Sequence, residues 1–308
     1  MKVGVISNND LCLPLLFFLL NNKVETHLYF SRSSVIDPKR QAVHHFCSTY
    51  SVEYVDEDKG QESIYTWTST IDADFLFVLG HLKKIDCQKA KARFGTYNIH
   101  FGKLPEYRGA SPVFWQMKKM ESTLGLAIHA LTEEMDAGAI YWSKEIINED
   151  HFTHNYVQYL FSNLMLEGIS EILVKTSNGT LQSEQQDESK ARWHSKPSLR
   201  DVLINWNTMT AVEVCSVVRA CNNWNVGAIT LYQGMELKIV DASFQVDPAA
   251  KIHSPGTISS LGETIKVSCV NGEEIHLHYL SLNGIPIAAR HARKYGIMEG
   301  ERFTFPMD

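Results

Sequence analysis

MKVGVISNNDLCLPLLFFLLNNKVETHLYF, residues 1–30, decides the fold class. Residues 2–6 are a short β-rich run, residues 11–20 an apolar run carrying Pro14, and residues 25–30 a second β-rich run. The apolar run falls well short of the roughly 20 residues that a bilayer-spanning helix needs. Asn21, Asn22 and Lys23 follow it, where a signal peptide would place a small-residue cleavage site. It therefore reads as a buried helix between two strands, with no membrane segment.

The alternation continues outward. Strands are expected at 75–79 and 97–101, and helices at 40–48, 62–69 and 87–94. Apolar strands separated by helices imply parallel pairing with both sheet faces covered. Ser111-Pro112 reads as a helix start, with Ser as N-cap and Pro at the first helical position. Strands at 124–131 and 140–147 follow. A long helix over 155–175 carries Val157, Phe161, Leu164, Met165, Ile169 and Ile172 at spacings of three and four, one stripe facing a core.

Beyond that helix the texture changes. Residues 177–203 hold Ser-Asn-Gly and Gln-Gln-Asp-Glu-Ser-Lys and read as a polar interdomain linker. After a helix at 210–221 the remainder is β-like: 228–232, 236–240, 257–259, 264–270 and 274–280. Gln233-Gly234, Pro255-Gly256 and Asn271-Gly272 separate these runs at barrel-like spacing. The expected plan is an α/β domain over 1–176, the linker, and a small β-barrel over 204–308. A length of 308 residues suits two domains, because a single core stops growing near about 250–300 residues.

Composition narrows the classes. With 44% hydrophobic and 21% charged residues, disordered, collagenous and disulfide-scaffold proteins are excluded. A net charge of −6 argues against a general nucleic-acid coat protein, though not against a local basic patch. The six cysteines show no C-x-x-C pair, so reduced thiols in a cytoplasmic protein are expected. The first strand ends in Ser7-Asn8-Asn9-Asp10 rather than G-x-G-x-x-G, and no P-loop is present; Asn9 or Asp10 reads as a helix cap. His44-His45, His151 with His154, and His276 with His278 lack the further ligands a metal site needs, so no metal is expected.

Chemistry concentrates in residues 97–140. Asn98 and His100 lie two apart on a strand, so their side chains emerge on one face. Gly102-Lys103-Leu104-Pro105-Glu106-Tyr107-Arg108-Gly109 follows, at the strand end where open α/β sheets place ligands. Gly125 to His129 and then Met135-Asp136-Ala137-Gly138 lie downstream. On spacing alone, an Asn/His pair with a later Asp suits either the polarisation of a carbonyl or a hydrogen-bonded structural cluster.

Asn98-Ile99-His100, Leu104-Pro105-x-Tyr107-Arg108-Gly109 and Asp136-x-Gly138, in this order, resemble the formyltransferase family that uses 10-formyltetrahydrofolate. Ile204-Asn205-Trp206, Val218-Arg219-Ala220, Gly227-Ala228, Leu237-Lys238-Ile239 and Pro255-Gly256-Thr257-Ile258, with Gly300 and Phe303, extend the likeness to the methionyl-tRNA enzymes and their sugar-modifying relatives. Two departures stand out. Gly102 replaces the serine of the family's H-x-S-L-L-P run, and residues 118–125 lack the acidic Thr-Gly approach of the tRNA enzymes. Both leave the catalytic triplet intact and bear on the acceptor.

The resemblance implies a Rossmann-like formyltransferase domain with a mostly parallel sheet, followed by an OB-like β-barrel. It makes 10-formyltetrahydrofolate the formyl donor. Asn98, through its amide, and His100, as imidazole or imidazolium, become donors to the oxyanion of the tetrahedral intermediate. Asp136 would favour the charged form of His100 and relay the amine's proton. Leu82 and the 131–135 stretch, with Leu131 and Met135, are expected on the donor pocket. Arg108, with Lys103, is expected to meet an anionic acceptor, or else to fix the loop.

The expected activity is N-formylation of a primary amine, with a nucleotide-linked amino sugar or other small amine as acceptor and methionyl-tRNA as the alternative. Residues 200–308 hold nine Lys/Arg against eleven Asp/Glu, a poor surface for clamping tRNA. Only Arg290-His291-Ala292-Arg293-Lys294 is a basic cluster there, and residues 33–40 carry only Lys39 and Arg40 where the tRNA enzymes have a longer basic insertion. A 10-formyltetrahydrofolate hydrolase is disfavoured, because its extra domain would precede the catalytic one. A non-catalytic folate- or tRNA-binding relic would have no need for Asn98, His100 and Asp136 together.

Overall fold

The computed structural model describes residues 1–31, 38–57, 63–81, 83–221, 226–244 and 253–305. The chain forms two compact units. Met1–Pro112, Thr123–Ile146 and Gln158–His194 make the first; Val113–Ser122, Ile147–Val157 and Ser195–Asp308 make the second.

The first half of the chain runs β1 (Lys2–Ser7), α1 (Leu13–Asn21), β2 (Glu25–Phe30), α2 (Pro38–Tyr50), β3 (Glu53–Asp56), α3 (Ile64–Ile71), β4 (Phe75–Leu79), β5 (Gly95–His100), β6 (Arg108–Gly109), α4 (Pro112–Lys118), β7 (Thr123–Ala130), β8 (Ile140–Ile147), α5 (His154–Ser177) and β9 (Trp193–His194). The apolar run that opened the sequence is helical as expected. Asn9 caps the short turn leading into it by accepting the Leu11 N–H at 3.0 Å, Pro14 occupies the first turn of α1, and Leu15, Leu16 and Leu19 are buried.

The sheet of the first unit has the order β3-β2-β1-β4-β5-β7-β8. β1 to β5 are parallel, and β7 runs antiparallel to β5. The chain moves out to β3 on one side of β1, then crosses back to add β4 and β5 on the other. The carboxyl ends of β1, β4 and β5 therefore share one edge next to the reversal point, the place where open α/β sheets bind ligands. Rings of Phe75, Phe77 and Tyr97 stack across β4 and β5 at centroid distances of 6.3 and 5.7 Å and cover one face.

Three local expectations are corrected. Residues 87–94 form turns rather than a helix. The Arg93 and Phe94 N–H groups are taken by Ala73 O and Asp74 O at 3.0 and 2.8 Å, which draws the backbone to the start of β4 instead of into its own helix. β3, only four residues long, was not expected. α4 does begin at Pro112, but Ser111 has φ 55° and not the extended backbone of an ordinary N-cap.

Residues 184–194 are polar and mostly exposed, yet they are tied to the first unit. Glu184 bridges Ile140, Arg192 N–H donates to Pro105 O at 3.1 Å, and β9 pairs in parallel with β6.

The second unit contains α6 (Ala211–Ala220), β10 (Ala228–Tyr232), β11 (Met235–Phe244), β12 (Ile258–Leu261), β13 (Ile265–Ser268), β14 (Glu274–Leu282), β15 (Ile285–Ala288) and β16 (Phe303–Thr304). Its antiparallel sheet follows β12-β13-β14-β11-β10-β16, with β15 on β14. The two ends of this path meet. Ile258 N–H donates to Glu301 O at 2.8 Å and Phe303 N–H to Gly256 O at 2.9 Å, so the sheet curls into a small barrel. Inside, Trp206 stacks on Phe303 and donates Nε1–H to Thr230 Oγ1 at 2.8 Å. β11 outlasts its expected span because a bulge at Ile239–Ala242 resets the alternation on which a sequence reading depends. Among the described residues no helix is long and apolar enough to cross a membrane.

Candidate active site

Asn98 and His100 stand on the last turn of the pleat of β5, on one face as their spacing requires. The antiparallel register of β7 sets His129 opposite Asn98. The chain then turns at Asp136, whose φ is 55°, and Gly138. A Cβ on Gly138 would lie 2.0 Å from Ala130 O, so no side chain is tolerated there and the turn is pressed against β7.

These elements bring four polar side chains together. Asn98 Nδ2 donates to Asp136 Oδ1 at 3.2 Å and lies 3.1 Å from His129 Nε2. His129 Nδ1 is 2.9 Å from Ala130 O, which can only accept, so Nδ1 carries a hydrogen toward it, while Nε2 also faces Asp136 Oδ1 at 3.5 Å. Asp136 Oδ2 accepts the Gly109 N–H at 2.8 Å, and Oδ1 faces His100 Nδ1 at 3.6 Å. His100, His129 and Asp136 are all buried. The spacing of the motif residues left a catalytic and a structural cluster equally open, and the geometry joins all three.

Asp136 favours the charged form of His100, as expected, but it does not decide the ring's charge. Burial is the larger influence; together with His129 it holds the imidazole below its usual 6.5, against the upward pull of Asp136 and the Tyr107 carbonyl. Burial also acts to raise Asp136, but His100, His129 and the Gly109 N–H outweigh it and bring the carboxyl down to about 2. In the acid range the imidazolium helps hold Asp136 down; near neutrality the carboxylate rests on N–H donors. The site at neutral pH is a neutral imidazole beside a carboxylate.

The ring's orientation follows from its neighbours. His100 Nε2 is 2.7 Å from Tyr107 O, so Nε2 carries the proton and Nδ1 keeps a lone pair toward Asp136. The hydrogen expected to meet an oxyanion is thus committed to the loop carbonyl. Gly102 makes this pose possible: a Cβ there would be 2.7 Å from His100 Nε2 and 2.6 Å from Pro112 Cβ.

The other expected site residues divide. Arg108 is fully buried, with Nη1 and Nη2 on the Glu188 carboxylate at 2.9 and 2.6 Å and both Nε and Nη2 on Gln186 Oε1, contacts of the kind its loop-fixing alternative calls for. Lys103 Nζ is paired with Glu145 Oε2 at 3.3 Å. Leu131 packs against the cluster of Ile6, Tyr29, Val78 and Ile85, while Met135, next to Asp136, is exposed. Leu82 lies outside the described residues. Sequence reasoning gave no role to His129, Tyr107 or Gln186. The signal for His129 was its two-residue alternation on a strand, useful only once β7 is known to pair with β5. Among the described residues no three His, Cys, Asp or Glu side chains gather as metal ligands would.

Comparison with known proteins completes the description. The formyl transferase family model matches residues 38–160, and that of the formyl transferase C-terminal domain matches residues 198–289. A methionyl-tRNA formyltransferase of Dictyoglomus thermophilum is 30% identical over 152 residues, 49% of this chain and 48% of that protein. Matches to five further methionyl-tRNA formyltransferases span 57% to 66% of their lengths. HypX from Aquifex aeolicus in complex with tetrahydrofolic acid superposes with a TM-score of 0.68 at 17% identity, covering 96% of this chain and 47% of that one. The N-formyltransferase from Helicobacter canadensis in complex with folinic acid and dTDP-3-aminofucose gives 0.68 at 16% identity, covering 90% and 98%. With both of its domain models matched in order over most of its length, the chain belongs to the formyl transferase family.

Proposed function

We propose that the protein is an N-formyltransferase that moves a formyl group from 10-formyltetrahydrofolate to a primary amine. The observation that carries this reading is the meeting of Asn98, His100 and Asp136 at the carboxyl edge of the sheet, a neutral imidazole beside a carboxylate lowered to about 2. Those residues fit the donor's chemistry. A formyl carbonyl needs a hydrogen-bond donor on its oxygen, and an attacking amine needs a base.

When bound, the folate supplies a formyl carbon that the amine attacks, with negative charge developing on the formyl oxygen. Asn98 Nδ2 donates to that oxygen in exchange for one of its two present contacts. His100 takes the amine's proton on Nδ1, and the imidazolium so formed, stabilised by Asp136, gives that proton to the donor nitrogen as its bond to the formyl carbon breaks and tetrahydrofolate leaves. Asp136 stays ionised throughout, held by the Gly109 N–H.

The acceptor is a small amine, a nucleotide-linked amino sugar by preference. Supporting this, three of the basic residues of the second unit are engaged at home. Arg293 pairs with Glu299 at 3.2 Å, Arg302 donates to Pro255 O at 2.7 Å, and Arg219 donates to Glu149 O at 2.7 Å. One observation favours methionyl-tRNA instead: the sequence relatives named above are methionyl-tRNA formyltransferases.

The test incubates the protein with 10-formyltetrahydrofolate and a panel of amines, following tetrahydrofolate release and product mass. Formylated amino-sugar nucleotide is expected. Formylation of methionyl-tRNA that weakens steeply with salt, with no turnover of amino sugars, would reverse the acceptor. Release of formate to water alone would replace transfer by hydrolysis.

A further inference from the structure

Gln186 lies in the polar stretch before β9, half-buried between the exposed Gln185 and Asp187. All four of its side-chain valences are used. Nε2 donates to Asp136 O at 2.8 Å and to Gly138 O at 2.7 Å, while Oε1 accepts from Arg108 Nε and Nη2 at 3.0 and 2.9 Å. The amide orientation is fixed by these partners, since the reverse would set carbonyl against carbonyl and N–H against N–H. Arg108, buried, is the residue before Gly109, whose N–H holds the Asp136 carboxylate. The bonds close a ring: Asp136 carboxylate, Gly109 N–H, the Arg108 side chain, Gln186, and back to the Asp136 carbonyl.

We infer that Gln186 is a positioning residue for Asp136, clamping the backbone of the 136–138 turn, which opens on the left-handed Asp136, so that its carboxylate stays on the Gly109 N–H and opposite His100 Nδ1. The turn needs such a clamp. Asp136 occupies a backbone region unfavourable to a side-chain-bearing residue, and two of the turn's carbonyls point at Gln186. Glu188 completes the support by taking the outer guanidinium hydrogens of Arg108.

The catalytic consequence rests on the formyltransferase reading; the clamp itself does not. Two variants separate its parts. Gln186→Glu keeps an acceptor for Arg108 but cannot donate to the two carbonyls, whereas Gln186→Leu loses both contacts. Two readouts are taken on each full-length protein: kcat and donor KM with the best amine of the panel, and the Asp136 carboxyl titration by carbon NMR. Both variants are expected to lose kcat by about 10- to 100-fold, as small misplacements of reacting groups do, with donor KM little changed. In both, the Asp136 titration moves up toward the ordinary aspartate range. A Gln186→Glu protein with wild-type kcat and an unmoved Asp136 titration would overturn the inference, leaving Gln186 as mere attachment of the segment to Arg108. Absence of turnover with every amine would sink the formyltransferase reading, while the NMR arm would still decide the clamp.

Discussion

At the scale of residues, the proposed chemistry requires His100 to be neutral and correctly turned. Activity that needs its Nδ1 lone pair should persist below pH 6.5 and fall only as pH drops through the depressed value of the buried ring. His129 is one of the groups pushing that value down, so His129→Gln should raise it and move the acid limb of kcat/KM to higher pH. Histidine NMR titration alongside the pH–rate profile checks the direction. Gly102→Ser puts a Cβ against the ring and Pro112, and should cost about tenfold or more in kcat by displacing His100 from Tyr107 O, measured by steady-state kinetics with the same NMR signal. Asn98 and His100 were legible in the sequence because a strand alternates strictly, and Asp136 through its motif. His129 was not, because its role exists only through the β5–β7 register. Gln186 was not, because a polar residue in a polar segment breaks no pattern.

At the scale of elements, a continuous apolar run located α1 and hydrophobic periodicity located α5. It failed where backbone hydrogen bonds are settled by distant partners. Residues 87–94 have helix-forming side chains, yet Ala73 and Asp74 claim the N–H groups of Arg93 and Phe94. The short strands β3, β9, β15 and β16 carry too few residues for an alternation to register. Local signals did mark α6, which Thr210 begins with a capping box: Glu213 N–H donates to Thr210 Oγ1 at 3.3 Å and Thr210 N–H to Glu213 Oε2 at 2.8 Å. Thr210→Ala should therefore destabilise the second unit by about 0.5–2 kcal/mol. A lower urea midpoint with unchanged kcat at 25 °C would show that the cap serves stability alone.

At the scale of the whole chain, the α/β unit and the curled antiparallel sheet were both foreseen, because a change from helix–strand alternation to closely spaced strands with Gly turns is a coarse signal. The attachment of residues 184–194 to the first unit was hidden, since its bonds run through side chains that read as solvated. Asn98, His100 and Asp136 meet at one edge of the sheet of the first unit. The measurement that tests their joint role most directly is the single-turnover rate of formyl transfer to the preferred amine in Asn98→Ala, His100→Ala and Asp136→Asn, each checked for native circular dichroism. Loss of about 10²-fold or more in each folded variant is expected. A folded His100→Ala or Asp136→Asn protein that transfers the formyl group at the wild-type rate would contradict it.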